Sequence, residues 1–301
     1  MTAKSEPIRR TSEIEEASNR WLIHPMATLL LPLFVRWGVT PNLVSLSGMA
    51  CGLIAGFAYS HVPAPAWVLA GFLLMLAWHV MDGADGQLAR LTNAQSEFGK
   101  VLDGICDYIT FIAVYIGLAV ALTPRDGVWI WLLVALAGAC HAAQSAAYEA
   151  QRQLYDVWGW GRVSRRLHVA TPEAARSVTG MLHHLYGRMQ VLLLGRGIET
   201  DARLRTLLQT APDSAGELHR RYRETFAPVV RRWSVMCSNY RTVGIFLFAL
   251  AGCPIGYFLT EIVLLSAVSF WLIDRQNRRL ADFLRQVTVE GVSGPVVLVS
   301  G

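Results

Sequence analysis

The 301-residue chain is 53% hydrophobic and only 16% charged, with a net charge of +5. Soluble domains average about 45–50% apolar and about 25% charged residues, so this balance argues against a water-soluble domain and predicts an integral membrane protein. The basic excess suits anionic headgroups and cytoplasmic loops. No zinc-finger, RNA-recognition or basic-zipper pattern accompanies it, so nucleic acid is not an expected partner.

The five cysteines (Cys51, Cys106, Cys140, Cys237 and Cys253) are odd in number and never spaced Cys-x-x-Cys. That pattern suits small buried thiols rather than a disulfide frame or a zinc site. The first twenty residues carry Lys4, Arg9, Arg10 and several glutamates without an apolar core, so no cleavable signal is expected.

In chain order, residues 1–39 read as a juxtamembrane region. A capped amphipathic helix is expected over 11–24, with Ser12 as N-cap and Glu15 completing a capping box. The apolar stretch 26–39 is short for a span and reads as an interfacial helix carrying Arg36. Residues 40–148 hold four expected spans, at about 43–59, 66–81, 105–122 and 128–148, the first following Thr40-Pro41-Asn42. Each approaches the length needed to cross about 30 Å of hydrocarbon.

An arginine-rich insertion, 149–232, follows, with helical patterns at 181–194 and 202–210 and breaks at Thr171-Pro172 and Ala211-Pro212-Asp213. Two readings stay open: amphipathic helices on the inner leaflet, or a lid or acceptor-binding subdomain. His183-His184 would lie at the interface. In 233–285 the apolar block 242–273 is too long for one helix, and Gly252-Cys253-Pro254 divides it. Two further spans then require the fifth to begin among polar residues near Arg232, its first turns lining a polar cavity. The expected fold is all-α, with six transmembrane helices and a flexible tail at 286–301. Loop arginines and lysines collect on one face, which the positive-inside rule makes cytoplasmic.

The segment from Asp82 to Asp107 carries the chemistry. Asp82 and Asp85 are three apart, Asp103 and Asp107 four apart, so each pair shares a helix face. Carboxylates beside an apolar span are costly unless they meet a cation. Magnesium or manganese takes oxygen ligands at about 2.0–2.1 Å in octahedral geometry, its remaining positions filled by water and phosphate. Four carboxylates suffice for one or two ions and a diphosphate. Gly83 and Gly86 admit close approach of a ligand, Arg90 offers a fork of donors to a phosphate, and Gly99 reduces bulk opposite them.

The pattern Asp82-x2-Asp85-Gly86-x2-Ala89-Arg90-x8-Gly99-x3-Asp103-x3-Asp107 resembles, at every fixed position, the signature of the CDP-alcohol phosphotransferase family. The resemblance covers roughly residues 40–148 and leaves the insertion unexplained. It implies a six-helix, often homodimeric membrane enzyme that displaces CMP from a CDP-linked lipid or alcohol donor with an alcohol acceptor. It further implies Asp82, Asp85 and Asp103 as metal ligands, and Asp107 as both a ligand and the catalytic base. Gly83, Gly86, Arg90 and Gly99 would hold the nucleotide, with Pro41 and Asn42 nearby. A bacterial inner-membrane location, with the site facing the cytoplasm, follows from the family plan and the loop charges.

The substrates are less determined. CDP-diacylglycerol with a polar acceptor is the favoured donor on family grounds, against CDP-choline or CDP-ethanolamine with a lipid alcohol. Arg152 and Arg241 are candidates for a phosphorylated acceptor, whereas Arg231 and Arg232 read equally well as snorkelling to lipid phosphates. A metal-dependent pyrophosphatase acting on the same donor and a divalent-cation transporter are the rival functions; Arg90 beside the carboxylates argues against the transporter. His79 and His141, inside apolar spans, are expected to be hydrogen-bonded packing residues.

Overall fold

The computed structural model describes residues 13–162 and 195–292, and their regular structure is entirely helical. A π-helical turn, Asn19–Ile23, leads into α1 (His24–Arg36). Then follow α2 (Pro41–Tyr59), α3 (Pro65–Leu91), α4 (Glu97–Asp126) and α5 (Ile130–Trp160). After the undescribed stretch come α6 (Gly197–Thr210), α7 (Ala215–Arg232), α8 (Ser238–Leu250), α9 (Pro254–Leu259) and α10 (Ser266–Val292). The Ser12 cap, the pattern at 181–194, the Thr171-Pro172 break, His183-His184 and the tail beyond 292 lie outside the described residues. Residues 286–292, expected as tail, continue α10.

Local chemistry explains the helix starts. Pro41 and Pro65 occupy first helical positions, where a missing N–H costs nothing. Thr40 Oγ1 accepts from the Leu43 N–H at 3.4 Å, and Ser96 Oγ accepts from the Gly99 N–H at 2.9 Å, capping α2 and α4. Between α3 and α4, Asn93 adopts φ 54° just past the helix end, and the Ala94 N–H returns to the Ala89 carbonyl at 2.9 Å. A left-handed residue there closes the last turn of α3 and reverses the chain.

The expected capped helix over 11–24 is corrected. Glu13–Glu16 are not helical, and helix begins at Ala17. Glu15 does not cap it: its carboxylate pairs with the buried His24 ring, and Glu16 accepts from Asn19 Nδ2 at 3.0 Å. Burial of both acids against these partners replaces the local box.

Among the described residues, five helices are long and apolar enough to cross a membrane: α2, α3, α4, α5 and the continuous run Pro254–Thr288. Where a fifth of six spans is expected, the chain makes a 3-10 turn, Trp233–Met236, and the thirteen-residue α8. Thirteen residues rise about 20 Å. Helices α3 and α4 also run well past their apolar parts, so all four acids of the motif sit inside helices.

The chain forms two compact units. The first comprises the chain up to Ala142 together with Val235–Leu265. Its core joins α2, α3 and α4 with Ile245, Ala249, Tyr257 and Phe258. Gly48, Gly52 and Gly56 recur every fourth residue on α2. Gly52 faces Thr110, and Gly56 faces the backbone of Ala113 and meets Gly117 of α4, where no side chain would fit. Small residues at this spacing let two helices approach backbone to backbone. A second cluster seats α1 on α3 through Ile23, Ala27, Leu31, Val80, Ala84 and Leu88. His79 Nε2 lies 2.9 Å from Thr242 Oγ1, and His141 Nδ1 lies 3.2 Å from the Tyr115 hydroxyl, so both histidines are hydrogen-bonded core residues.

The second unit comprises Ala143–Ser234 and the chain from Ser266. Strongly amphipathic α7 turns Leu218, Tyr222, Phe226, Val229 and Val230 inward. The rings of Tyr155, Tyr222, Phe226 and Phe283 pack at 4.4–6.4 Å between centroids. These apolar side chains of α7 therefore pack against protein within the second unit. Trp158 Nε1 donates to Asp201 at 3.0 Å, tying α5 to α6.

Candidate active site

Helices α2, α3 and α4 enclose a narrow cleft lined by Ser45, Gly48, Trp78, Asp82, Asp85, Asp103, Cys106 and Asp107. The i, i+3 spacing on α3 and the i, i+4 spacing on α4 turn both acid pairs into it. One carboxylate oxygen from each of Asp82, Asp85 and Asp103 lies within 4.8 Å of the others. Asp85 is buried, while Asp82, Asp103 and Asp107 are half-buried at the opening. Hard oxygen donors converging at this separation suit a magnesium- or manganese-sized cation better than a soft metal, because neither histidine nor thiolate belongs to the group.

The other expected residues divide. Arg90 folds back over Gly86: a Cβ added at Gly86 would lie 3.4 Å from Arg90 Nη1 and 3.6 Å from Nη2. Gly99 and Asn42 also meet, since a Cβ at Gly99 would lie 3.2 Å from Asn42 Oδ1. Pro41 starts the helix that carries Asn42. Gly83 faces elsewhere: a Cβ there would come within 3.2 Å of Ile23 and 3.5 Å of Ala27, so its missing side chain admits α1 to α3.

The two acceptor candidates are already engaged. Arg152 donates to Glu149 Oε2 at 3.2 Å and lies 5.5 Å over the Tyr148 ring. The Arg241 side chain is 1% exposed, bonded to Glu261 and, at 2.6 Å, to the Met236 carbonyl.

Four lining residues lie outside the expected set: Ser45, Gly48, Trp78 and Cys106. Ser45 Oγ is hydrogen-bonded to Asp85 Oδ2. Helical spacing is the available signal, since Ser45 falls three residues after Asn42, Trp78 four before Asp82 and Cys106 three after Asp103.

Residues 38–173, which contain every residue of the cleft, match the CDP-alcohol phosphatidyltransferase family. The chain carries a CDP-alcohol phosphatidyltransferase domain. Ethanolaminephosphotransferase 1 of Pongo abelii is 29% identical over 109 residues, 31% of this chain and 27% of the relative. CDP-diacylglycerol–serine O-phosphatidyltransferase of Mycobacterium bovis is 30% identical over 118 residues, 38% of this chain and 39% of the relative. Cholinephosphotransferase 1 of Gallus gallus is 32% identical over 91 residues, 28% of this chain and 27% of the relative. The chain thus spans between a quarter and two-fifths of the length of these curated relatives. The phosphatidyltransferase domain begins just before α2, leaving α1 and most of the second unit outside the likeness.

Proposed function

We propose that the chain is an integral membrane phosphotransferase that transfers a phosphoalcohol group from a CDP-linked donor to an alcohol, releasing CMP. The observation that carries this reading is the convergence of Asp82, Asp85 and Asp103 within 4.8 Å, in a cleft that Asp107 also lines.

Asp82, Asp85 and Asp103, with Asp107 completing the set, would hold one or two magnesium or manganese ions. Such ions, when bound, neutralise diphosphate charge and make CMP a better leaving group. Arg90, held over Gly86, supplies a forked donor to the diphosphate, while Pro41, Asn42 and Gly99 border the nucleotide. Gly83 serves the same site from behind by letting α1 close on α3. Asp107 removes the proton from the acceptor hydroxyl. The acceptor oxygen then bonds to the phosphorus bearing the donor's alcohol, the bond to CMP oxygen breaks, and the proton remains with the base. Such displacement depends chiefly on alignment and charge stabilisation, which rigid helices supply.

CDP-diacylglycerol with a polar acceptor is the first reading, supported by the likeness to the serine O-phosphatidyltransferase. The ethanolamine- and cholinephosphotransferase relatives favour a second, in which a CDP-aminoalcohol donates to a lipid alcohol. The protein is read as a homodimer in a bacterial inner membrane. Its cleft opens to the cytoplasm, and α8 with its preceding 3-10 turn makes a sixth crossing. The second unit is read as a lid or acceptor-binding subdomain, an assignment supported by its own aromatic core.

The test is CMP release by purified protein in detergent with magnesium or manganese. CDP-diacylglycerol, CDP-choline and CDP-ethanolamine are each offered with a panel of polar and lipid alcohols. Release that requires one donor–acceptor pair and is lost in Asp107→Asn supports the transferase and names its product. Release without any acceptor makes the protein a pyrophosphatase, and metal flux without nucleotide binding makes it a transporter.

A further inference from the structure

The geometry points to Ser45 as a positioning residue that orients Asp85 for cation binding, an inference that rests on reading the acid cluster as a divalent-cation site. Ser45 belongs to α2, forty residues before its partner, and is 7% exposed. Its Oγ has two acceptors in reach, the Pro41 carbonyl at 3.2 Å and, closer, Asp85 Oδ2. A hydroxyl has one proton to give. Hydrogen bonds to ionised acceptors are shorter and roughly twice as strong as neutral ones, so the proton goes to the carboxylate. The bland alternative, back-bonding to the carbonyl four residues earlier as helical serines often do, is the longer of the two contacts.

Asp85 is the most deeply buried member of the cluster, and a buried carboxylate needs donors in proportion to its lost hydration. A donor on one oxygen fixes the rotation of the carboxyl group, one oxygen of which converges with those of Asp82 and Asp103. Ser45 also brings α2 into a site whose acids all come from α3 and α4. Groups that hold metal-binding side chains from behind typically change affinity or activity by about 10–100-fold when removed.

The experiment is manganese binding to the purified full chain without nucleotide, followed by electron paramagnetic resonance, for wild type, Ser45→Ala, Ser45→Cys and Ser45→Thr. The manganese activation constant and kcat for CMP release are measured alongside. Ser45→Ala and the near-isosteric Ser45→Cys are expected to weaken manganese binding about 10–100-fold. Ser45→Thr, which keeps the hydroxyl, should stay within a few-fold of wild type. The activation constant should rise in step, with kcat recovering at saturating manganese. Unchanged manganese affinity in folded Ser45→Ala or Ser45→Cys would overturn the assignment, as would a loss confined to donor KM, which would make Ser45 a donor contact. Failure of the wild type itself to bind manganese would overturn the cation reading, and the role of Ser45 with it.

Discussion

Arg241 and Glu261 form a closed pair inside the first unit: Arg241 Nε lies 3.2 Å from both carboxylate oxygens, and the two side chains are 1% and 0% exposed. The Tyr257 hydroxyl donates to the same carboxylate at 3.0 Å and lies 3.1 Å from the Tyr115 hydroxyl. Breaking a buried pair leaves an uncompensated charge, at about 3–5 kcal/mol, whereas replacing both partners by apolar residues is often neutral. Arg241→Met should therefore destabilise by about that amount, and Arg241→Met with Glu261→Leu should recover most of it. Melting temperatures in detergent check this. A single variant that melts normally but loses acceptor affinity would restore Arg241 to the acceptor site.

The α2–α4 contact gives a second expectation. A Cβ at Gly117 would collide with the Gly56 carbonyl, and one at Gly56 with the Ala113 backbone. Backbone cannot swing aside as a side-chain tip can, so Gly56→Ala or Gly117→Ala should destabilise by about 1–3 kcal/mol. Gly216 in α7 has nothing within 4 Å, and Gly216→Ala should be neutral or stabilising by up to about 1 kcal/mol. The same melting assay, run on all three, separates packing from helix propensity.

Asp107 lines the cleft outside the group formed by Asp82, Asp85 and Asp103, and its role can be separated from theirs. Asp85→Asn or Asp103→Asn should abolish manganese binding and turnover together. Asp107→Asn should retain most manganese binding while turnover falls about 100-fold or more, the loss expected of a missing general base. Equal loss of binding in all three would make Asp107 a ligand first. Chelation of the wild type should stop CMP release, and added magnesium or manganese should restore it.

Phe226 tests the second unit. It is fully buried and touches Tyr222 and Phe283 at 4.4 and 5.4 Å between ring centroids. Phe226→Ala should cost about 3–5 kcal/mol, read as faster limited proteolysis between residues 195 and 232. A helix lying on lipid would show almost no such change.

Much of the site was legible because its ligands share helix faces: spacings of three and four between aspartates survive any uncertainty about helix ends. The ends themselves were not. Hydropathy falls after Met81, yet α3 continues because its polar residues find partners, as when Gln87 accepts from Thr28 Oγ1 at 2.8 Å. The partner of Arg241 was equally hidden, since Glu261 lies beyond the break at Gly252 and only folding brings the two together. Spacing from Asn42 separates Ser45 from Ser47, which bonds to its own helix at the Leu43 carbonyl, but Asp85 as the partner of Ser45 appears only in the fold. Glycines recur every fourth residue at 48, 52 and 56, but only the fold shows which helices they admit.

Every residue lining the cleft falls between positions 45 and 107. All of them thus lie on three helices that follow one another in the chain. Forming the α3–α4 hairpin then brings the acids together through contacts of short sequence separation, the kind that close fastest. From that moment until a counter-ion arrives, several like charges face one another beside hydrocarbon. On the proposed reading of these acids as a cation site, the hairpin would carry an internal repulsion until a cation bound, and the yield of intact protein would rise with metal supply during synthesis.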